Sequence, residues 1–205
     1  MLKIVIYHDN YRIPFGLRRT AIHHPSNTQN NDRSIRRTRQ TISDIIACNR
    51  FDLWCTFTFN CKNCPVDCKN NPCCCPRDLC RRFDPNICKL RMTSWLHRQK
   101  LNNPDFTYLI VPEYHKNGAL HFHAFIKHCS AKLSDTKKVD NGKKVLRFTN
   151  YTLGFSYVID ISDQQDEQHN VIAEYMKKYI TKDMPVFHGK KRYFTSQNLA
   201  RPLSL

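Results

Sequence analysis

The sequence predicts an α+β fold in which an antiparallel sheet is covered by helices. Three observations carry this. Apolar and aromatic runs of strand length lie at 51–59, 106–127 and 155–161. Stripes of helical period lie beside and between them, at 34–49, 84–100 and 166–183. An Asn117-Gly118 pair splits the middle run, which makes that pair of strands a hairpin and therefore antiparallel.

Taken in order, residues 1–33 read as a flexible basic N-terminal arm, because 10–33 are polar, basic and without period. One domain is expected over 34–205, with a Cys-rich insertion at about 60–88. In the first helix Ile35, Ile42, Ile45 and Ile46 make an apolar stripe, and Arg36, Arg37 and Arg39 lie off it. The run Phe-Asp-Leu-Trp-Cys-Thr-Phe-Thr-Phe at 51–59 has the β-branched and aromatic content of a core strand. Asp84-Pro85 marks a helix start with proline at the first helical position, and Ile87, Leu90, Trp95 and Leu96 continue that helix. Residues 130–150 read as a loop containing Asn141-Gly142, 155–161 as a strand, and 191–196 as a last strand. There is no internal repeat.

The most informative stretch is Glu113-Tyr-His-Lys-Asn-Gly-Ala-Leu-His-Phe-His123. Side chains alternate along a strand, so His121 and His123 share a face. Two imidazoles on one rigid face suit a divalent metal; the bland alternative is a pair of hydrogen-bonded or exposed histidines. Loop length decides what joins them. A two-residue Asn-Gly loop pairs Tyr114 with His121 and turns Glu113 away. A three-residue loop, 116–118, with Gly118 in the left-handed region pairs Glu113 with His121. The second geometry is the expected one. It gathers a carboxylate and two imidazoles into an open, mixed N/O site of the kind used in metal-assisted phosphate chemistry.

Composition narrows the partner. The formal charge is +16, from 33 Lys and Arg against 17 Asp and Glu. That excess points to a polyanion, with nucleic acid ahead of an anionic membrane surface. No apolar run approaches the roughly 20 residues that span a bilayer, and the N-terminus lacks the basic and long apolar segments of a secretory signal. The expected location is a cell interior, the cytoplasm of a bacterium or of a host. Eight of the 11 cysteines fall between Cys61 and Cys88. In an intracellular chain such a cluster points to zinc before disulfides. Cys61 and Cys64 have the two-residue gap of a zinc knuckle. A second clear pair is missing, so a reduced surface loop stands beside the zinc reading.

The helix at 166–183 carries a second constellation. At about 100° per residue, Tyr175, Tyr179, Lys178 and Lys182 share a stripe about 100° wide, and Ile172, Met176 and Ile180 form an adjacent apolar stripe. A plain amphipathic helix with tyrosines at the core edge gives the same pattern. Beside a metal site and a basic surface, however, it fits a tyrosine nucleophile. A phenol with pKa near 10 is a poor nucleophile at neutral pH. A neighbouring ammonium and a metal-polarised phosphate both help it.

These motifs give the chain a resemblance to the HUH endonucleases, specifically the rolling-circle replication initiators of small plasmids and single-stranded DNA viruses. Thr56-Phe-Thr-Phe59 resembles the first motif of that family, a strand end near origin DNA, which implies DNA contacts at Thr56 and Thr58. His121-Phe-His123 resembles the metal motif, and Glu113 stands where the third ligand is found in some members. Tyr175-Met-Lys-Lys178 and Tyr179-Ile-Thr-Lys182 both match the Tyr-x-x-Lys pattern. The likeness covers roughly 34–202, and the Cys-rich loop departs from it.

The resemblance implies a metal-dependent nicking and joining enzyme. Mg²⁺ or Mn²⁺ would be held by Glu113, His121 and His123. A tyrosine would attack the scissile phosphate, leaving a 5′-phosphotyrosine link and a free 3′-hydroxyl. The implied partner is single-stranded or hairpin origin DNA, with Arg36, Arg37 and Arg39 adding sequence-independent affinity. No phosphate-binding loop of a helicase occurs in the sequence, so a host helicase and polymerase would act in trans, with no membrane partner. Two other readings stay open: a single-tyrosine HUH transposase, and a zinc-dependent nucleic-acid-binding protein without catalysis.

Overall fold

The structure is a computed structural model and describes residues 5–7, 10–12, 27–60, 80–163, 174, 176, 178–179, 185 and 192–204. The chain divides into two compact units. One contains residues 51–163 and 183–198, the other 1–50, 164–182 and 199–205.

The larger unit is built on a seven-stranded antiparallel sheet, which makes the fold α+β as the sequence predicts. Its strands are β3 (Leu53–Thr58), β4 (Thr107–Tyr114), β5 (Leu120–Lys127), β6 (Leu133–Asp140), β7 (Lys143–Phe148), β8 (Ser156–Asp160) and β9 (Phe194–Thr195). They lie in the order β6-β7-β8-β3-β5-β4-β9. Helix α2 (Pro85–Asn102) covers one face. It starts as the sequence requires: the Asp84 carboxylate accepts from the backbone N–H groups of Asn86 and Ile87, and Pro85 follows in the first turn. Its Trp95 ring is fully buried among Phe57, Phe148 and Tyr151, with centroids 5.2, 5.3 and 5.7 Å away. Leu90, assigned to the apolar stripe by sequence, is exposed, and Cys88 and Met92 take the buried positions.

Two strand signals went unread in the sequence. Residues 130–150 form not a loop but the β6–β7 hairpin, closed at Asn141-Gly142. Both turn residues have positive φ, 47° and 78°, as a type I′ turn requires. The strands are largely exposed and rich in lysine, so hydrophobic alternation is nearly absent. Pro112 sits inside β4, which is tolerable because β9 pairs with Leu109 and Ile110 and leaves the outer edge free of a ladder at Pro112.

In the smaller unit, α1 (Asn27–Cys48) begins seven residues earlier than its apolar stripe. Its first turns are polar and carry no period to read. Ile35, Ile42, Ile45 and Ile46 are buried, as their spacing predicts. The N-terminal segment also holds β1 (Val5–Tyr7) and β2 (Asn10–Arg12), with β1 paired to β10 (Leu203–Ser204). Regular structure therefore occupies parts of 1–33 that the sequence reading left as a flexible arm. Strands of three residues are too short to show alternation, and the β10 partner lies at the far end of the chain. Asn49 ties the two ends of this unit together: its side chain donates to the Ala200 carbonyl at 3.0 Å and accepts from the Ala200 N–H at 3.0 Å. Among the described residues, no helix is long and apolar enough to cross a membrane.

Candidate metal and DNA site

The hairpin between β4 and β5 sets the site. The backbone N–H of His115 donates to the Ala119 carbonyl (2.8 Å), and that of Gly118 to the His115 carbonyl (2.7 Å). The loop is thus 116–118, with Gly118 at φ 84°. Asn117 braces it by accepting from the Ala119 N–H at 2.9 Å. This is the three-residue geometry, and it places Glu113 opposite His121.

Pairing on the other side of β5 completes the face. β3 runs antiparallel to β5 with Thr56 opposite His123 and Thr58 opposite His121. Alternation then puts Trp54, Thr56, Thr58, His121, His123 and Glu113 on one face of the sheet, and Cys55 and Phe57 on the face under α2.

His123 is the centre of the arrangement and is buried. Its Nε2 lies 2.7 Å from Glu113 Oε2 and its Nδ1 lies 3.1 Å from Thr56 Oγ1. The Trp54 indole stacks on it, with centroids 5.9 Å apart and planes inclined by 17°. His121 is half-buried, and its ring stacks on that of His115 at 4.7 Å. Burial pushes the His121 pKa down to about 4, the neighbouring His115 and His123 push it the same way, and Glu113 opposes them. His121 is therefore a neutral imidazole at physiological pH, the form that ligates metals.

The fit to a divalent ion is good in donor type and in backbone placement. Two imidazoles and one carboxylate share a face, and a hydroxyl stands behind the buried imidazole. The side chains are arranged for one another: Glu113 bonds His123 directly. As they stand, no group of three His, Cys, Asp or Glu side chains among the described residues is placed to hold an ion. The sequence reading missed His115. Alternation from Glu113 was signal enough to find it, since residues two apart on a strand share a face.

The other sequence-derived candidates fall out as follows. Thr58 faces the site, but its hydroxyl is engaged, accepting from the Phe155 N–H (3.1 Å) and directed at the Phe155 carbonyl (3.2 Å). Thr56 is the residue that touches His123. Arg36, Arg37 and Arg39 lie on α1, with Arg36 and Arg37 exposed beside the buried Ile35. Lys178 is exposed and Tyr179 half-buried, in a segment where Glu174, Met176 and Lys178 are helical. The Tyr179 N–H bonds the Met176 carbonyl at 3.2 Å, a final-turn contact. Tyr175, Lys182, Cys61 and Cys64 lie outside the described residues. Cys80 and Cys88, at the end of the Cys-rich segment, are buried free thiols, and burial pushes Cys88 up to about 12. A buried, protonated Cys88 is core rather than a zinc ligand.

Comparison with curated proteins and with solved structures gives no match. The model of one family, described as Replication-associated protein ORF2, matches residues 52–184, a span that contains Thr56, Glu113, His121, His123 and both tyrosines. This agrees with the likeness to rolling-circle initiators that the motifs carry, and the chain belongs to this ORF2 family of replication-associated proteins.

Proposed function

We propose that this protein is a replication initiator that nicks single-stranded origin DNA for rolling-circle replication. The observation that carries the reading is the convergence of Glu113, His121, His123 and Thr56 on one sheet face, in a chain of a replication-associated family. Glu113, His121 and His123 would hold Mg²⁺ or Mn²⁺. When bound, that ion polarises the scissile phosphate.

The residues of the chain then divide the work. Thr56 orients the His123 ring. Trp54 and His115 hold the two imidazoles by stacking, which limits their rotation. Tyr175 or Tyr179 attacks phosphorus through its phenolic oxygen; the bond from phosphorus to the 3′-oxygen breaks, and a proton ends on that oxygen. The products are a 5′-phosphotyrosine and a 3′-hydroxyl able to prime synthesis. The reverse attack by a 3′-hydroxyl closes a strand without an external energy source. Lys178 or Lys182 stabilises negative charge as it develops. A zinc at Cys61 and Cys64 belongs to the same proposal as a structural ion apart from the reaction, since Mg²⁺ does not take thiolate ligands. Helicase and polymerase activities come from the host.

The test uses a pool of single-stranded DNA of random sequence with Mn²⁺. DNA captured covalently in denaturing detergent is sequenced. The proposal requires a common 5′-terminal sequence at the protein link. Capture of no DNA above a metal-free control rejects it.

A further inference from the structure

The β6–β7 hairpin forms one margin of the sheet, with β6 outermost. Leu146 pairs with Val158 of β8, and the β6–β7 ladder runs on from there to the Asn141-Gly142 turn. A bulge at Thr136 and Lys137 divides the hairpin into an inner and an outer part. Asp135 pairs with Leu146 and Lys138 with Val145, so two residues of β6 have no opposite number. The bulge is built, not ragged. Lys137 has φ 64°, its N–H donates to the Asp135 carboxylate at 2.6 Å, and the Thr136 hydroxyl donates to the Val145 carbonyl at 2.6 Å.

The charge on this ribbon is one-sided in sign and two-sided in space. Residues 132–148 carry Lys132, Lys137, Lys138, Lys143, Lys144 and Arg147 against Asp135 and Asp140. The acids are engaged within the protein: Asp135 with the Lys137 N–H, and Asp140 with the Tyr157 hydroxyl. Lys143 is engaged too, with Asp163 at 2.8 Å. Lys138 and Lys144 are exposed. Registration places them on opposite faces, since Lys138 pairs with Val145 and Lys144 precedes Val145 by one residue in β7. There is no aromatic side chain from 132 to 147, so the ribbon offers nothing for unstacked bases to lie on. The tip instead exposes Val139, which pairs with Lys144.

We infer that the β6–β7 ribbon docks on duplex DNA, lying along a groove with Lys138 and Lys144 reaching phosphates on its two sides. A two-stranded ribbon has the dimensions of the major groove. Cations on both faces match two walls of phosphate, and a single strand offers only one. Arg147 and Tyr157 continue the metal-site face of the sheet toward the ribbon: Tyr157 pairs with Thr56, which pairs with His123. A stem held by the ribbon would therefore stand beside the single strand at the site. The inference rests on the proposed function only in taking DNA as the partner.

The test measures binding of the full chain to two probes of arbitrary sequence, a duplex of about 20 base pairs and a single strand of about 20 nucleotides, across salt concentrations. Lys138→Ala/Lys144→Ala should weaken duplex binding about tenfold near 0.1 M salt and lower the salt slope by about 2, with single-strand affinity held within about twofold. Lys138→Arg/Lys144→Arg should restore duplex binding. Unchanged duplex affinity and slope, or an equal loss on both probes, overturns the inference. Neither probe needs to be cut, so a failure of the nicking reading leaves this result interpretable.

Discussion

Thr56 Oγ1 and His123 Nδ1 stand 3.1 Å apart across the β3–β5 pair, while the other ring nitrogen of His123 faces Glu113 at 2.7 Å. A threonine hydroxyl both donates and accepts. It can donate to Nδ1 while Nε2–H bonds Glu113, or accept from Nδ1–H and leave the Nε2 lone pair for a metal. Thr56 therefore lets His123 change tautomer without losing its partner. Thr56→Val keeps the shape and removes both roles, and should lower Mn²⁺ affinity by about 10- to 100-fold. Thr56→Ser should stay within a few-fold of wild type. Calorimetric or spin-resonance titration with Mn²⁺ reads this directly, and equal affinity in the two variants would contradict it.

Glu113 lies opposite His121 because the loop has three residues. Glu113→Ala should weaken Mn²⁺ binding by at least the roughly 10-fold seen for lost outer partners, and Glu113→Gln should recover part of it. Deleting Lys116 to give a two-residue loop should shift the register and act like Glu113→Ala, with Mn²⁺ affinity again the readout.

Gly154 holds the end of β3. A Cβ at this position would lie 2.1 Å from the Thr58 carbonyl oxygen, a backbone atom that also accepts from the Tyr151 hydroxyl at 2.9 Å. Gly154→Ala must push the turn off the strand and should cost about 3 kcal/mol, the upper range for overpacking. Denaturant melts check this; a loss below about 0.5 kcal/mol would show that the turn relaxes freely.

Burial raises Cys88 to about 12, well above an unfolded thiol. The folded state then keeps a proton that the unfolded chain releases near pH 9. Between about 9 and 12 the native state binds more protons, so this group makes stability fall as pH rises. Cys88→Ala lowers stability at neutral pH through lost packing, and its stability should decline less steeply across that window. Parallel slopes for the two proteins would refute the assignment. Iodoacetamide at about pH 8 should label Cys88 only after unfolding.

Much of the site was legible because hairpin chemistry fixes register. The Asn117-Gly118 signal, with alternation, placed Glu113 opposite His121 before any coordinates. The same rule, carried two residues further, reaches His115. What stayed hidden was non-local. The Thr56–His123 contact needs the β3–β5 register, set by a pairing across 67 positions of sequence. The β6–β7 hairpin was missed although Asn141-Gly142 was seen, because exposed lysine-rich strands lack the apolar alternation that identifies buried ones. The β1–β10 pair joins the two ends of the chain, and no local pattern reports that.

The most direct measurement maps the DNA-linked peptide. Wild-type protein is incubated with captured single-stranded DNA and Mn²⁺, digested, and analysed by mass spectrometry, beside His121→Ala/His123→Ala. The account predicts a nucleotide adduct on a tyrosine of the 175–179 pair. Tyr175 is favoured over Tyr179 by the well under 1 kcal/mol that a helix C-terminus exerts against a phenolate. It also predicts no adduct in the histidine variant, which still binds DNA through its basic residues. An adduct at full yield in that variant, or none on either tyrosine in the wild type, would contradict it.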